Sequence, residues 1–206
     1  MLSFDEEKRL LGACETPARA HLRPIIICAL DSGMRRSEVI TLQWRYVDME
    51  AKTITITAMN SKTMKPRIVG MTARLHDELM KLWEKSPMQP GVSVFGIAYT
   101  FKRAFRAACR AAGVEDFRYH DCRHTCITRW VRAGLPIAEI MRLSGHSTLT
   151  AFAIYANSTP ETIKRGADAL DALRSDFESL DGVEQVPGVE NVENVENVEQ
   201  ASDLIN

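Results

Sequence analysis

The sequence lacks any apolar run approaching the roughly 20 residues that a membrane-spanning helix requires. It also lacks a secretion signal, because Asp5, Glu6 and Glu7 stand where such a signal would be cationic and then apolar. These two absences favour a protein that is neither embedded in a membrane nor exported. We therefore expect it to reside in the cytoplasm.

The sequence lacks the even set of cysteines typical of a disulfide framework, because it has five in a mid-sized chain without a secretion signal. We expect reduced thiols in a reducing compartment. The five residues are Cys14, Cys28, Cys109, Cys122 and Cys126.

The chain also lacks the excess of positive charge that DNA-binding surfaces usually need, since 26 Lys and Arg stand against 27 Asp and Glu. However, seven of the acidic residues and none of the basic ones lie from Asp181 onward, so the preceding residues carry a net charge of +6. We therefore interpret the chain as a basic body followed by a separate acidic tail.

The tail, residues 181–206, contains a Val-Glu-Asn triplet repeated from Val189 to Asn197 and has no aromatic residue. A period of three matches neither a strand nor a helical stripe, so we predict a disordered tail. Residues 1–180 are enough for one sizeable hydrophobic core and are expected to form a single domain.

Helical patterns dominate the body. Ser3 and Glu6 form a capping box, and residues 18–30 are largely apolar, which favours a buried helix. Thr159 followed by Pro160 marks the start of an amphipathic helix. Helices are predicted at about 4–15, 18–30, from Arg36 to before Trp44, and at 72–85, 98–113, 121–133, 136–143, 149–155 and 160–180.

One segment differs from this helical pattern. Residues 53–57 alternate strictly with β-branched side chains, Asn60 and Ser61 supply turn chemistry, and residues 67–69 resume an extended pattern. This is typical of a β-hairpin. The fold class predicted is therefore mainly α with a small antiparallel β-sheet or hairpin.

Several polar residues are candidates for function, although each has an ordinary structural interpretation when considered alone. Arg35 stands at a helix start and Lys62 in a hairpin turn, where solvated cations are common. His120 and Arg123 are three residues apart near a predicted helix N-terminus, so both lie on one face and could meet a shared anion.

The segment His120, Cys122, His124, Cys126 also suggests zinc, because imidazole and thiolate are zinc ligands. Alternate residues on a helix point about 200° apart, so four ligands at this spacing cannot converge on one tetrahedral ion. We therefore reject a metal site and expect Cys122 and Cys126 to line the buried face together.

Five motifs occur in series along the body. They are GMRRSE at residues 33–38, SKT at 61–63, HDCRHT at 120–125, LSGHS at 143–147, and Tyr155, nine residues after His146. In order, spacing and secondary-structure context, this series resembles the catalytic domain of the tyrosine recombinases (phage integrase family). The resemblance runs from about Leu2 to about Leu180 and therefore covers that whole domain.

The resemblance implies an enzyme that cuts and rejoins DNA strands by transesterification, through a 3′-phosphotyrosyl intermediate on Tyr155, without metal, ATP or another cofactor. Guanidinium groups can clamp the oxygens of a phosphodiester, and a phenol of pKa ~10 needs help to lose its proton. The catalytic residues implied are Arg35, Lys62 as general acid, His120 as general base, Arg123, His146 and Tyr155 as nucleophile.

The expected partner is double-stranded DNA, bound by a homo-tetramer on DNA and a monomer in isolation. Integrases of this kind carry an N-terminal helical domain that closes around DNA, and the chain begins where the catalytic domain should begin. We therefore expect a fragment that binds DNA weakly and in a salt-dependent way. The alternatives are a type IB topoisomerase, which relaxes DNA with the same kind of constellation, and a DNA-binding relative that has lost the reaction.

Overall fold

The computed structural model describes residues 1–58, 66–97, 100–155 and 160–181. The chain divides into two compact units, Met1–Asn157 and Ser158–Asn206. Within the described residues, no helix has both the length and the apolar character needed to cross a lipid bilayer. The helices of the first unit are α1 (Phe4–Gly12), α2 (Leu22–Ser32), α3 (Arg36–Ile40), α4 (Ala73–Glu84), α5 (Lys102–Ala111), α6 (Tyr119–Arg132), α7 (Ile137–Ser144) and α8 (Leu149–Phe152).

The first two helices show how well the sequence patterns predicted where a helix begins. The predicted capping box is present, since the Ser3 hydroxyl accepts from the Glu6 amide and the Glu6 carboxylate accepts from the Ser3 amide. Helix α2 begins at Leu22, later than the predicted residue 18. Pro24 has no N–H to donate, so it fits only in the first turn of the helix, and this limits how far upstream α2 can begin.

The sheet has three antiparallel strands in the order β1 (Val47–Asp48), β2 (Thr53–Ile56) and β3 (Arg67–Gly70). The predicted hairpin is β2 with β3, in which Ile54 pairs with Val69 and Ile56 with Arg67. The first strand was not predicted, because two residues are too few to show an alternating pattern. The remaining predicted helices are present with small shifts of their ends, so the mainly α fold class with a small antiparallel sheet is confirmed.

The hydrophobic core is built around α2, whose residues are almost all buried and which packs against α4 and α6. A smaller buried cluster, formed by Ile127, Ile140 and Phe152, joins α6, α7 and α8, and Tyr155 packs against it. A 3₁₀ turn, Ala153–Tyr155, follows α8 directly. The packing of Phe152 into this cluster therefore sets the position of Tyr155.

The five cysteines are free and buried, in agreement with the expectation of reduced thiols. The second unit contains α9 (Pro160–Asp181), which matches the helix predicted at 160–180. Residues 182–206, where a disordered tail is predicted, lie outside the described residues. The boundary between a catalytic domain at 1–180 and a tail at 181–206 therefore stays a prediction.

Candidate active site

The GMRRSE motif forms the junction between α2 and α3. Gly33 caps α2 in the left-handed conformation, with φ of +62°. A Cβ there would lie 3.1 Å from the ring of Trp130, so only glycine combines this backbone with this packing. Arg35 begins the next turn, and its backbone N–H donates to Oε2 of Glu38 over 2.7 Å. This junction points the Arg35 side chain towards the end of α7.

Glu38 is the buried anchor of the arginine side chains, and its own side chain is fully buried. Its oxygens accept from Arg35 Nη1 at 3.1 Å and from Arg67 Nη1 and Nη2 at 2.9 and 2.6 Å. Burial alone would raise the pKa of Glu38, but the hydrogen bonds and charge of Arg67, together with those of Arg35, outweigh burial and lower the pKa. The carboxylate is therefore ionised and orients both guanidinium groups.

Sequence reasoning missed Arg67. It lies on β3 with its side chain almost buried, and its Nε also donates to the carbonyl of Leu143 over 2.8 Å. The signal was available, because side chains alternate along a strand and Arg67 must share the face of Val69. Val69 is buried whereas Ile68 between them is 59% exposed, so a cation stands on the inner face of the sheet.

Arg123 is only 3% exposed on α6. Its Nη1 donates to the carbonyl of Gly33, and its Nη2 donates to the carbonyl of Ser144, both over 2.6 Å. Burial, followed by the charge of Arg35, lowers the pKa of Arg123 to about 10. The group is therefore still a cation at neutral pH, and it is held rigidly between the GMRRSE and LSGHS motifs.

The end of α7 brings the two predicted arginines together. Arg35 Nη2 donates to the carbonyl of Gly145 over 2.8 Å, next to the Ser144 carbonyl that binds Arg123. Gly145 has φ of +70°, and a Cβ there would lie 3.0 Å from Arg67 Nη1 and 3.3 Å from Arg35 Nη1. Glycine is thus required both by the backbone and by the close approach of two guanidinium groups.

His146 follows this glycine and faces Arg123. Its Nδ1 lies 2.7 Å from the buried hydroxyl of Ser144, and its Nε2 lies 3.5 Å from Arg123 Nη2. Burial, followed by the charges of Arg123 and Arg35, lowers the pKa of His146 to about 4. The imidazole is therefore neutral at physiological pH in the absence of a bound anion, and Ser144 orients it.

Tyr155 completes the group. Its ring centroid lies 5.2 Å from that of Phe152, 6.0 Å from that of His146 and 5.5 Å from that of His124. The hydroxyl Oη lies 2.5 Å from Nδ1 of His124. Burial raises the pKa of Tyr155 above 10, although the charge of Arg123 opposes this shift. The phenol is therefore protonated at rest and needs a base.

His120 lies one turn before His124 on α6, with the two ring centroids 4.8 Å apart in an edge-on arrangement. Partial desolvation by the surrounding protein, followed by the charges of His124 and Arg123, lowers the pKa of His120. The hydroxyl of Tyr155 contacts His124 rather than His120. The predicted role of His120 as general base therefore stays a prediction, and Lys62, the predicted general acid, lies outside the described residues.

The alternating histidines and cysteines of α6 point in different directions. Cys122 and Cys126 are buried in the protein, as predicted, whereas His120 is exposed. In the described part of the chain, no group of three or more His, Cys, Asp or Glu side chains is arranged to hold a metal ion. The two cysteines therefore act as core residues of α6.

The site thus brings together Arg35, which caps α3, Arg67 on β3 and Arg123 on α6, and the ionised carboxylate of Glu38 pairs with the first two. Arg35, Arg67 and Arg123 supply three positive charges and Glu38 one negative charge, so the cluster carries a net charge of +2. Such a cluster attracts an anion, and planar guanidinium groups match the oxygens of a phosphate. The arrangement can therefore hold a phosphodiester beside the phenol of Tyr155.

In fold, the chain is of the class of integrase catalytic domains. The sequence profile of the Phage integrase family matches residues 1–162, and the chain belongs to that family. The integrase of Salmonella phage P22 is 30% identical over 182 residues, which cover 82% of this chain and 46% of that protein. The chain spans about half the length of such relatives.

Solved structures agree with this assignment. The catalytic domain of bacteriophage HP1 integrase is 26% identical, with a TM-score of 0.64 over 82% of this chain and 93% of that chain. The Tn1549 transposon integrase, in complex with circular intermediate DNA, has a TM-score of 0.69 over 82% of this chain and 66% of that chain. At 18% identity, the second similarity shows a shared fold.

Proposed function

We propose that this chain is the catalytic domain of a site-specific DNA recombinase, which cuts and rejoins DNA strands through a 3′-phosphotyrosyl bond to Tyr155. The observation that carries the proposal is the position of Tyr155 beside His146 and within the field of Arg123. These residues come from separate elements and were predicted from sequence to form one site. Membership of the phage integrase family supports the same chemistry.

Arg35 and Arg123 are the proposed phosphate clamp. When the phenol attacks, negative charge grows on the non-bridging oxygens of the phosphodiester, and fixed cations stabilise that charge most when they need not reorganise. Both arginines are fixed before DNA binds, because each donates to a backbone carbonyl at the end of α7. His146 is the proposed third donor, held in place by the Ser144 hydroxyl.

The reaction conserves the energy of the broken bond. The phenolic proton of Tyr155 passes to a histidine of α6, a bond forms between Tyr155 Oη and phosphorus, and the bond from phosphorus to the 5′ oxygen breaks. The departing oxygen takes a proton from a general acid, for which Lys62 is the candidate. Rejoining reverses these steps, with a 5′ hydroxyl as the attacking group. The proposed reaction uses neither ATP nor a metal ion.

Double-stranded DNA is the proposed substrate, and a homo-tetramer on DNA is the proposed assembly. The Tn1549 integrase, which shares the fold, has been solved in complex with DNA. The net charge of +6 on the residues that precede Asp181 supports binding to phosphates. Because relatives of phages and bacteria are among the matches, we further propose that the protein acts on DNA in a bacterial cytoplasm.

The proposal is tested with nicked suicide substrates that carry candidate sites from the source genome, incubated with the 206-residue chain in EDTA and resolved on a denaturing protein gel. We expect a DNA-shifted band from the wild-type chain and none from Tyr155→Phe. Relaxation of plasmid that lacks these sites would favour a topoisomerase. A wild-type chain that binds the sites but forms no shifted band would contradict the proposed reaction.

A further inference from the structure

We propose that His124, rather than His120, is the catalytic residue that takes the phenolic proton of Tyr155 during strand cleavage. The inference deepens the proposed function and rests on it. Its basis is the contact between Nδ1 of His124 and Oη of Tyr155, which are 2.5 Å apart. A general base must lie within hydrogen-bonding distance of the proton that it removes, and His124 meets that condition before DNA binds.

The contact joins two well-held groups. His124 lies on α6 directly after Arg123, whose guanidinium is locked between the carbonyls of Gly33 and Ser144. Tyr155 is held by Phe152, which is buried with Ile127 and Ile140. The two aromatic rings are tilted by 34° with centroids 5.5 Å apart, and the hydroxyl of Tyr155 lies at hydrogen-bonding distance from Nδ1 of His124.

The protonation states at rest favour the same direction of transfer. Burial lowers the pKa of His124, with Arg123 acting in the same sense and Asp121 opposing, so the imidazole is neutral at pH 7. Burial raises the pKa of Tyr155, so its hydroxyl keeps its proton and donates to Nδ1. Asp121, one turn before His124 on α6, would then stabilise the imidazolium that forms on transfer.

The phenolic proton moves to Nδ1 of His124, the bond between Tyr155 Oη and phosphorus forms, and the bond between phosphorus and the 5′ oxygen breaks. That oxygen leaves with a proton from the general acid, for which Lys62 is the candidate. In rejoining, the imidazolium of His124 returns its proton to the departing phenolate oxygen.

His120 then acts through His124, as a positioning residue. Its ring meets that of His124 edge-on, with an angle of 85° between the ring planes, and no contact between His120 and the Tyr155 hydroxyl occurs among the described residues. The two histidines therefore make different predictions. Loss of the proton acceptor should be repaired by a small base in solution, whereas loss of a supporting ring should not.

The experiment compares single-turnover adduct formation on a suicide substrate by wild type, His124→Ala and His120→Ala, each with and without added imidazole. We expect His124→Ala to slow adduct formation by roughly 10²-fold or more and added imidazole to restore part of the rate. His120→Ala should be slowed less and should not respond to imidazole. His21→Ala, which alters an exposed histidine before α2, is the matched control and should keep the wild-type rate.

Two further measurements separate chemistry from folding. His124→Asn retains a hydrogen-bond acceptor for Tyr155 but cannot take its proton, so it should melt like wild type and still be slow. Without DNA, ¹⁵N NMR should show the His124 Nδ1 resonance shifting in Tyr155→Phe. A wild-type rate in both His124 variants, or imidazole rescue of His120→Ala instead, would overturn the inference. A wild-type chain that forms no adduct would instead count against the proposed function.

Discussion

Two buried carboxylates, Glu7 and Glu38, each form ion pairs with two arginines, yet the clusters around them differ in net charge. Glu7 pairs with Arg74 and Arg129, the latter with Nη1 2.6 Å from Oε2. Asp31 also pairs with Arg74, so that cluster contains two acids and two bases. Glu38 likewise pairs with two arginines, Arg35 and Arg67. Arg123 lies beside them, and among the described residues it has no ion pair with a carboxylate.

The net charge of a cluster, rather than its number of arginines, therefore distinguishes a structural network from an anion site. The Glu7 cluster is neutral and links α1, α2, α4 and α6, so nothing remains in it to attract a ligand. The Glu38 cluster has two positive charges in excess, held beside His146 and Tyr155. We infer that the first stabilises the fold and the second binds phosphate, and the predictions below separate these roles.

The largest expected effect is on cleavage in Arg123→Gln. Removing a fixed cation from the phosphate clamp should lower the single-turnover rate of adduct formation by roughly 10²–10³-fold. Arg74→Gln is the matched control from the neutral cluster, and its rate should stay within a few fold of wild type when measured well below its melting temperature. Comparable losses of rate in the two variants would remove the distinction between the clusters.

Removing the charge of Glu7 or of Glu38 should affect stability in both cases but cleavage in only one. The Glu38 side chain is fully buried, and removing one partner of a buried ion pair costs roughly 3–5 kcal/mol. Loss of Glu7 should cost less, because the Arg74 and Arg129 side chains are 42% and 20% exposed. Glu7→Gln and Glu38→Gln should therefore both lower the free energy of unfolding, measured in urea. Only Glu38→Gln should also slow cleavage by the protein that remains folded, because only Glu38 orients Arg35.

The third prediction concerns two glycines in the same backbone conformation. Gly145 and Gly113 have φ of +70° and +62°, so alanine at either should cost about 1–2 kcal/mol. A Cβ at Gly145 would press on Arg67 and Arg35, whereas at Gly113 nothing lies within 4 Å. Gly145→Ala should therefore slow cleavage as well as lower the melting temperature. Gly113→Ala should change the melting temperature alone, and any slowing of cleavage there would argue against a packing role for Gly145.

The smallest expected effect is on stability in acid. Burial and neighbouring arginines lower the pKa of His146 from 6.5 to about 4, so the unfolded chain binds a proton that the folded chain does not. Stability from this group is complete above pH 6.5 and is lost as the pH falls towards 4. His146→Gln should therefore show a shallower loss of melting temperature between pH 6.5 and 4 than wild type. An unchanged slope would mean that His146 is not shielded from protons in the folded state.

Much of the fold and the site could be predicted because local chemistry determines it. Several features are encoded by residues that are neighbours in the sequence. They are the capping box at Ser3, the β-branched alternation at residues 53–57, and the GMRRSE and LSGHS motifs that contain Arg35 and His146. These predicted a mainly helical domain with a hairpin, and the structure brings Arg35, Arg123, His146 and Tyr155 together.

What could not be predicted depends on contacts between distant segments. Strand alternation places Arg67 on the inner face of the sheet, but it does not reveal the partners, which are Glu38, 29 residues away, and Leu143, 76 residues away. His124 meets Tyr155 across 31 residues, and the spacing from His120 to Arg123 drew attention to the neighbouring histidine instead. Such contacts depend on how α6, α7 and α8 pack together.

The proposed reaction depends above all on attack by Tyr155 on phosphorus within the positively charged cluster. The most direct measurement is to trap the DNA adduct, digest it with trypsin and identify the modified peptide by mass spectrometry. Cleavage after Arg142 and Lys164 releases residues 143–164, in which Tyr155 is the single tyrosine. We expect this peptide to carry a 3′-phosphonucleotide on Tyr155. A nucleotide on another residue, or a link to a 5′-phosphate, would contradict the proposed reaction.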